Sequence, residues 1–154
     1  MEHIIKQMKD AWDGDPWFGR SVKDLLFEIE EHLVFEKPSG QHSILELLWH
    51  MNTWKAFTIS RLKEEEGKTV AQFEADDWRV LDHSDRALWK KGLKEFESLQ
   101  HELTTLVEQF PESKLTQKVR DRKYDFRHLL NGIVQHDIYH IGQIAYVKKL
   151  LENR

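Results

Sequence analysis

Two histidines four residues apart, His136 and His140, stand in the run HLLNGIVQHDIYHIGQI at 128–144. On a helix that spacing puts both on one face, one turn apart, with Cβ atoms ~5–6 Å from each other, so two imidazoles can reach one divalent ion. The helix itself is supported by a stripe: Leu129, Leu130, Ile133, Ile141, Ile144, Val147 and Leu151 fall on one side at about 100° per residue. Both histidines lie inside the stripe. A buried imidazole without a hydrogen bond or a metal costs kilocalories, so each is either a core histidine satisfied by a neighbouring helix or a ligand. His50 falls between Trp54 and Phe57 at the edge of another apolar arc and should also face inward. Alone it reads as structural. With the other two it makes three neutral nitrogen donors on two helices, a set suited to zinc, nickel, cobalt or iron(II). Three protein ligands leave a coordination position open, as catalytic sites do, where water would be acidified toward a pKa of ~7 or a thiol or carbonyl activated.

Two other metal chemistries fail on the residues. A zincin-type protease needs H-E-x-x-H, but Asp137 follows His136; it is one methylene shorter and points to a different part of the face. A di-iron carboxylate bundle needs Glu-x-x-His on two helices plus two further glutamates. The chain offers no Glu-x-x-His, and Asp137-Ile138-Tyr139-His140 is only an Asp analogue. No catalytic side chain is identified beyond a metal-bound water or thiol; Asp137 and Gln143 are the supporting candidates. Asp137 either takes a histidine ring N–H and fixes its tautomer or forms an interhelical ion pair. Gln143 is placed to hydrogen-bond the metal's water or a substrate. Gly132, one turn before His136, leaves room for a ligand or for close helix packing. Trp54, Trp78, Trp49 and Trp17 are candidate pocket walls, and Arg61 is either a carboxylate-binding residue or a solvated charge. His3, His32, His42, His83, His101 and His128 lack comparable spacing and read as surface residues. There is no Ser/His/Asp arrangement and no phosphate-cradling glycine loop.

The elements that must position these residues are all helical. Ile4, Ile5, Met8, Ala11 and Trp12 recur at helical spacing until Asp13-Gly14-Asp15-Pro16 breaks the run. Ser21 caps a second amphipathic segment to Leu33, packed on the first or continuing it as one interrupted arm. Ser43-Ile44-Leu45-Glu46 fits a capping box and opens a long helix to about Glu65. Residues 65–82 are polar, acidic and aperiodic, a connection of a length that is often functional. Asp82 or Ser84 caps a helix reaching Gln109, Pro111 ends it, and Asp125 caps the last helix. Four long amphipathic segments, each with one apolar face, bury those faces best against each other. The expectation is an all-α, single-domain four-helix bundle over 1–154, with its long connection between the second and third bundle helices.

Composition narrows the partners. Of the 154 residues 40% are hydrophobic and 32% charged, which describes a globular chain and excludes a disordered one. The formal charge is −4 and the densest basic patch, KVRDRK at 118–123, is short, so no nucleic-acid partner is expected. No apolar run approaches the ~18–20 residues of a membrane span, and no signal peptide is read. With no cysteine there is no disulfide, thiolate ligand or cysteine nucleophile. Cytoplasm is the expected location.

Two blocks, HSILELLWHMNTWKAFTISRL at 42–62 and YDFRHLLNGIVQHDIYHIGQIAYVKKLL at 124–151, resemble the DinB/YfiT-like family of metal-binding four-helix bundles. His50 matches the family's histidine in the second helix. His136 and His140, followed by Ile141-Gly142-Gln143-Ile144, match its His-x-x-x-His and Gly-Gln pattern. The resemblance implies a divalent metal, often nickel or zinc, with water completing the shell, and a homodimer. Among similar proteins are low-molecular-weight thiol S-transferases, thiol-dependent isomerases and metal-dependent hydrolases. The expected function is therefore activation of a thiol or water against a small electrophile, with a thiol cosubstrate in the transferase case. The alternative is a non-catalytic metal-binding or stress-response module in which the histidines hold the bundle together.

Overall fold

The structure, a computed structural model, describes residues 1–153. Seven α-helices follow one another: α1 (Glu2–Asp13), α2 (Val22–Phe27), α3 (Glu31–Val34), α4 (Ile44–Leu62), α5 (Val70–Ala75), α6 (Ala87–Gln109) and α7 (Phe126–Glu152). Among the described residues there is no strand, only an isolated bridge between Lys118 and Asp125. The long helices α1, α4, α6 and α7 make the bundle. The segment 21–33, open in the sequence, is two short helices packed on it.

The expected start signals mostly hold. Ser43 Oγ accepts from Glu46 N at 3.1 Å while the Glu46 carboxylate accepts from Ser43 N at 2.9 Å, completing the capping box. Ser21 and Asp125 cap α2 and α7 through Asp24 N and His128 N. At α6 the outcome differs. Asp82 is spent on a local turn, accepting from Ser84 N at 2.9 Å, and Asp85 Oδ1 meets Ala87 N, so the helix opens three residues beyond Ser84.

Cross-helix pairs fix the direction of each helix. Going up α4, Asn52 meets the Gly92 carbonyl, Lys55 meets Gln100 and Lys63 meets Glu102. Positions rise together, so α4 and α6 run parallel. In α7 they fall: His50 faces His140 and Phe57 shares a cluster with Leu129. Parallel neighbours cannot be joined by a tight turn, which is why the connection from 63 to 86 is long and carries α5 across the bundle. Gly92 permits the closest approach of α4 and α6; a Cβ there would stand 3.0 Å from Leu48 Cδ2 and 3.1 Å from Trp49 Nε1.

The core is divided. One apolar cluster gathers the first half of α4, the first half of α6 and the C-terminal half of α7 with α2 and α3. The other gathers α1, the C-terminal halves of α4 and α6 and the N-terminal half of α7. Between them lies a belt of buried polar side chains: His50, Asn52, Thr53, Lys55, Gln100, Asp137 and His140. Helix α4 is buried on nearly every side, not along one stripe, because α3, α6, α7 and the crossover helix α5 pack around it.

Candidate metal centre

Helices α4 and α7 bring the three imidazoles to one point. His50 Nε2 lies 3.0 Å from His136 Nε2 and 2.9 Å from His140 Nε2. His50 and His140 are each 6% exposed, while His136 sits at the half-buried margin of the cluster. The three form a group whose ligand atoms are mutually within 4.8 Å, close enough to hold one metal ion at the ~2.0–2.1 Å bond lengths of imidazole nitrogen to zinc.

Proton accounting tests whether the residues fit an ion. His50 Nδ1 stands 2.5 Å from Asp77 Oδ1, off the axis of an ideal N–H···O bond; so near a carboxylate oxygen, the nitrogen must carry the proton. His140 Nδ1 lies 2.6 Å from Gln143 Oε1, and the amide nitrogen on the other side faces Tyr139 Oη at 3.5 Å, so this ring too is protonated at Nδ1. Both Nε2 atoms then present lone pairs to each other across 2.9 Å with no proton between them. A proton on His136 Nε2 would satisfy one of the two contacts and leave this one repulsive. A cation resolves it. Burial first, and the nearby His136 second, hold the pKa of His50 below its ordinary value against the pull of Asp77. The same two causes bring His140 down to about 4. Neutral imidazole, the form that ligates, is therefore favoured at neutral pH.

Trp78 covers the cluster. Its ring stacks on His50 at 4.0 Å and on His42 at 3.8 Å, each at an interplanar angle of 11°. Asp77, beside it, also accepts from Trp54 Nε1 at 2.7 Å, tying the crossover to α4. Trp54 extends from this bond into a groove between α4 and α7 whose wall includes His136.

The remaining sequence candidates are placed as follows. Asp137 is turned into the bundle and paired with Lys55; its Oδ1 is 3.9 Å from His136 Nδ1, and neither of these two atoms has a hydrogen-bond partner. Burial works to raise the Asp137 pKa, but the Lys55 ammonium and the neighbouring His136 together outweigh it and keep the carboxylate below its usual range. Arg61 stays away from the histidines. It is 2% exposed, not solvated, with its guanidinium 4.7 Å over the Phe57 ring and Nη1 donating to the Lys68 carbonyl. At Gly132 an added Cβ would meet nothing within 4 Å, so its role is room and not close packing. Trp49 packs in the apolar cluster of α4 and α6, and Trp17 is fully exposed in the loop after α1. His42 is exposed, as expected, and stacks on Trp78, while His83 is half-buried and lies 3.1 Å from Ser43 Oγ.

Sequence reasoning missed Asp77 and Lys55. For Asp77 the available signal was the length of the acidic connection that carries it. For Lys55 it was the scarcity of charge in α4, where only Glu46, Lys55 and Arg61 are charged in nineteen residues. A helix that apolar is surrounded.

Comparison with known proteins agrees with the geometry. Searches of curated proteins and of solved structures returned no match. Residues 22–144, about four-fifths of the chain, match the sequence model of the DinB superfamily, and the matched span contains all three histidines. This all-helical chain with its three-histidine cluster belongs to the DinB superfamily.

Proposed function

We propose that the protein is a metal-dependent enzyme that directs a thiol or water nucleophile at a small electrophilic substrate. The observation that carries this reading is the pair of Nε2 lone pairs of His50 and His140 facing each other at 2.9 Å beside His136. His50, His136 and His140 would hold a divalent ion, zinc or nickel by the chemistry of the donor set. Such an ion supplies Lewis acidity, lowering the pKa of a coordinated thiol or water so that a nucleophile exists near neutral pH.

The chain's own residues do the rest. Asp77 and Gln143 keep the ring protons of His50 and His140 at Nδ1 and hold both rings in orientation. Trp78, stacked on His50, excludes water from that side. The side left accessible is that of His136, where the groove with Trp54 opens, so the substrate approaches from there. Arg61 takes no part in this reading, and Asp137 is engaged by Lys55. A cytoplasmic homodimer fits the absence of cysteine and the exposed Tyr139, Tyr146 and Leu150 on the outer side of α7. Sedimentation velocity measures the dimer.

Protein purified without chelator and without a nickel-affinity tag should carry about one divalent ion per chain, and His136→Ala should lose it. Full metal retention by that variant would sink the site. Metal-loaded protein should then speed either conjugation of a low-molecular-weight thiol to an activated haloarene or hydrolysis of an activated ester. Acceleration of neither, together with unfolding on chelation, would make the ion structural and the protein a binding module.

A further inference from the structure

The groove beside His136 runs between α4 and α7 and has a volume of about 170 Å3. Its floor and walls are Trp54, Phe57, Leu129 and Ile133, with His136 at one end and Tyr124 and His128 at the other. No carboxylate and no ammonium or guanidinium lines it. The cations nearest its aromatic rings, Arg122 and Arg61, lie over the faces of Phe57 at 5.1 and 4.7 Å, and neither contributes to the lining. The polar atoms offered are the Thr58 hydroxyl, already donating to the Trp54 carbonyl, the two imidazoles and the Tyr124 hydroxyl. Burial raises the Tyr124 pKa against the influence of Arg122 and Arg61, so this hydroxyl stays protonated and can donate. The space exists because position 132 is glycine: a Cβ there would point into open volume, on a helix face otherwise occupied by Leu129, Ile133 and His136.

Size and polarity limit the occupant. A dry apolar cavity of about 150 Å3 takes up a single benzene ring. Charged groups entering this groove would lose part of their water and gain no counter-ion, which disfavours them relative to an uncharged group of the same size. We infer that the groove binds the body of the electrophilic substrate, an uncharged apolar molecule about one ring in size with a hydrogen-bond acceptor toward Tyr124, and that Gly132 sets the size it accepts. The inference deepens the proposed function and rests on that reading for the nature of the chemistry, though not for the binding itself. An electrophilic centre at the near end of such a molecule would face the histidine cluster, while its far end is held by the tyrosine hydroxyl.

The test uses the full chain loaded with zinc and two probes of equal size, benzyl alcohol and benzoate, followed by methyl chemical shifts and by isothermal titration. Benzyl alcohol should bind one to one and move the methyl signals of Leu129, Ile133 and Thr58, with benzoate weaker by about tenfold or more. Gly132→Leu should abolish that binding while keeping metal content. Gly132→Ala, which adds one carbon in open space, is the check that the position tolerates a side chain, and should keep helix content and metal. Equal binding of benzoate, methyl shifts elsewhere in the bundle, or unchanged binding by Gly132→Leu would overturn the inference. If wild-type protein bound benzyl alcohol in a Gly132-dependent way yet held no zinc, the groove would stand and the metal reading would fall. If it held zinc but bound no probe, the groove would fall alone.

Discussion

Two polar clusters are buried side by side on α4 and α7, and they are built on opposite plans. In one, the Lys55 ammonium, 0% exposed, meets the Asp137 carboxylate, the Gln100 carbonyl oxygen at 2.8 Å and the face of Phe96 at 4.5 Å. Its charges cancel and every Lys55 contact is attractive. In the other, five residues back along α4 and on either side of Asp137 in α7, the three histidines converge on one point, and Asp77 and Gln143 hold the rings of His50 and His140 with their Nε2 lone pairs facing. The first cluster is closed in charge, with only Asp137 Oδ1 left without a hydrogen-bond partner. The second is arranged so that a cation could complete it. Burial alone therefore does not mark a site; a surplus of one kind of polar group does.

Breaking the closed cluster should have the largest effect. Lys55→Met leaves Asp137 charged, buried and unpaired, and should destabilise the protein by about 3–5 kcal/mol, measured by urea unfolding. Adding Asp137→Leu to it should recover most of that loss. If the single variant costs nothing, the pair is not the compensated unit described.

Acid should separate the two clusters next. His50 and His140 have folded-state pKa values below the ordinary 6.5, through burial and then His136, with His140 at about 4. The unfolded chain thus binds protons first as pH falls, and the metal-free protein loses stability progressively from about pH 6.5 to about pH 4. Asp137 is also lowered, below the ordinary 3.8, but for a carboxylate that shift stabilises the fold above its unfolded pKa. Its contribution is intact through that window and is lost only as pH falls through its lowered pKa. Urea titrations in chelator at several pH values should show the histidine loss alone between those limits, and a flat profile there would contradict it.

Smaller effects belong to the outer partners. Asp77→Ala should weaken metal binding by about 10–100-fold in a competition titration. Gln143→Leu, which removes a neutral acceptor from His140, should have a smaller effect, since bonds to ionised groups are about twice as strong. Equal affinities for both variants and wild type would mean that the Nδ1 contacts do not set the tautomers.

The sequence carried one cluster and hid the other for a physical reason. His136 and His140 announce themselves through a four-residue period inside an apolar stripe, and His50 through its place beside Trp54 and Phe57. Ser43, Ser21 and Asp125 were readable because a helix cap is a local bond. Lys55 and Arg61 were not, because a cation on a helix is ordinarily solvated, and only the packing of other elements around α4 turns both inward. Asp77 and Trp78 lie where no period exists; their position depends on the crossover between parallel helices, which no neighbouring residue encodes.

The cluster joins residues 86 and 90 positions apart in the chain. His136 and His140 share one helix, so an ion can be gripped by that local pair in a chain that has not closed the bundle, but His50 is brought in only by long-range association. Any affinity of the open chain for the ion subtracts from the stabilisation that ligand linkage confers. The rise in melting temperature on saturation would accordingly report the third imidazole's share, a gap between tridentate and bidentate capture, and would underestimate the full affinity of the folded site.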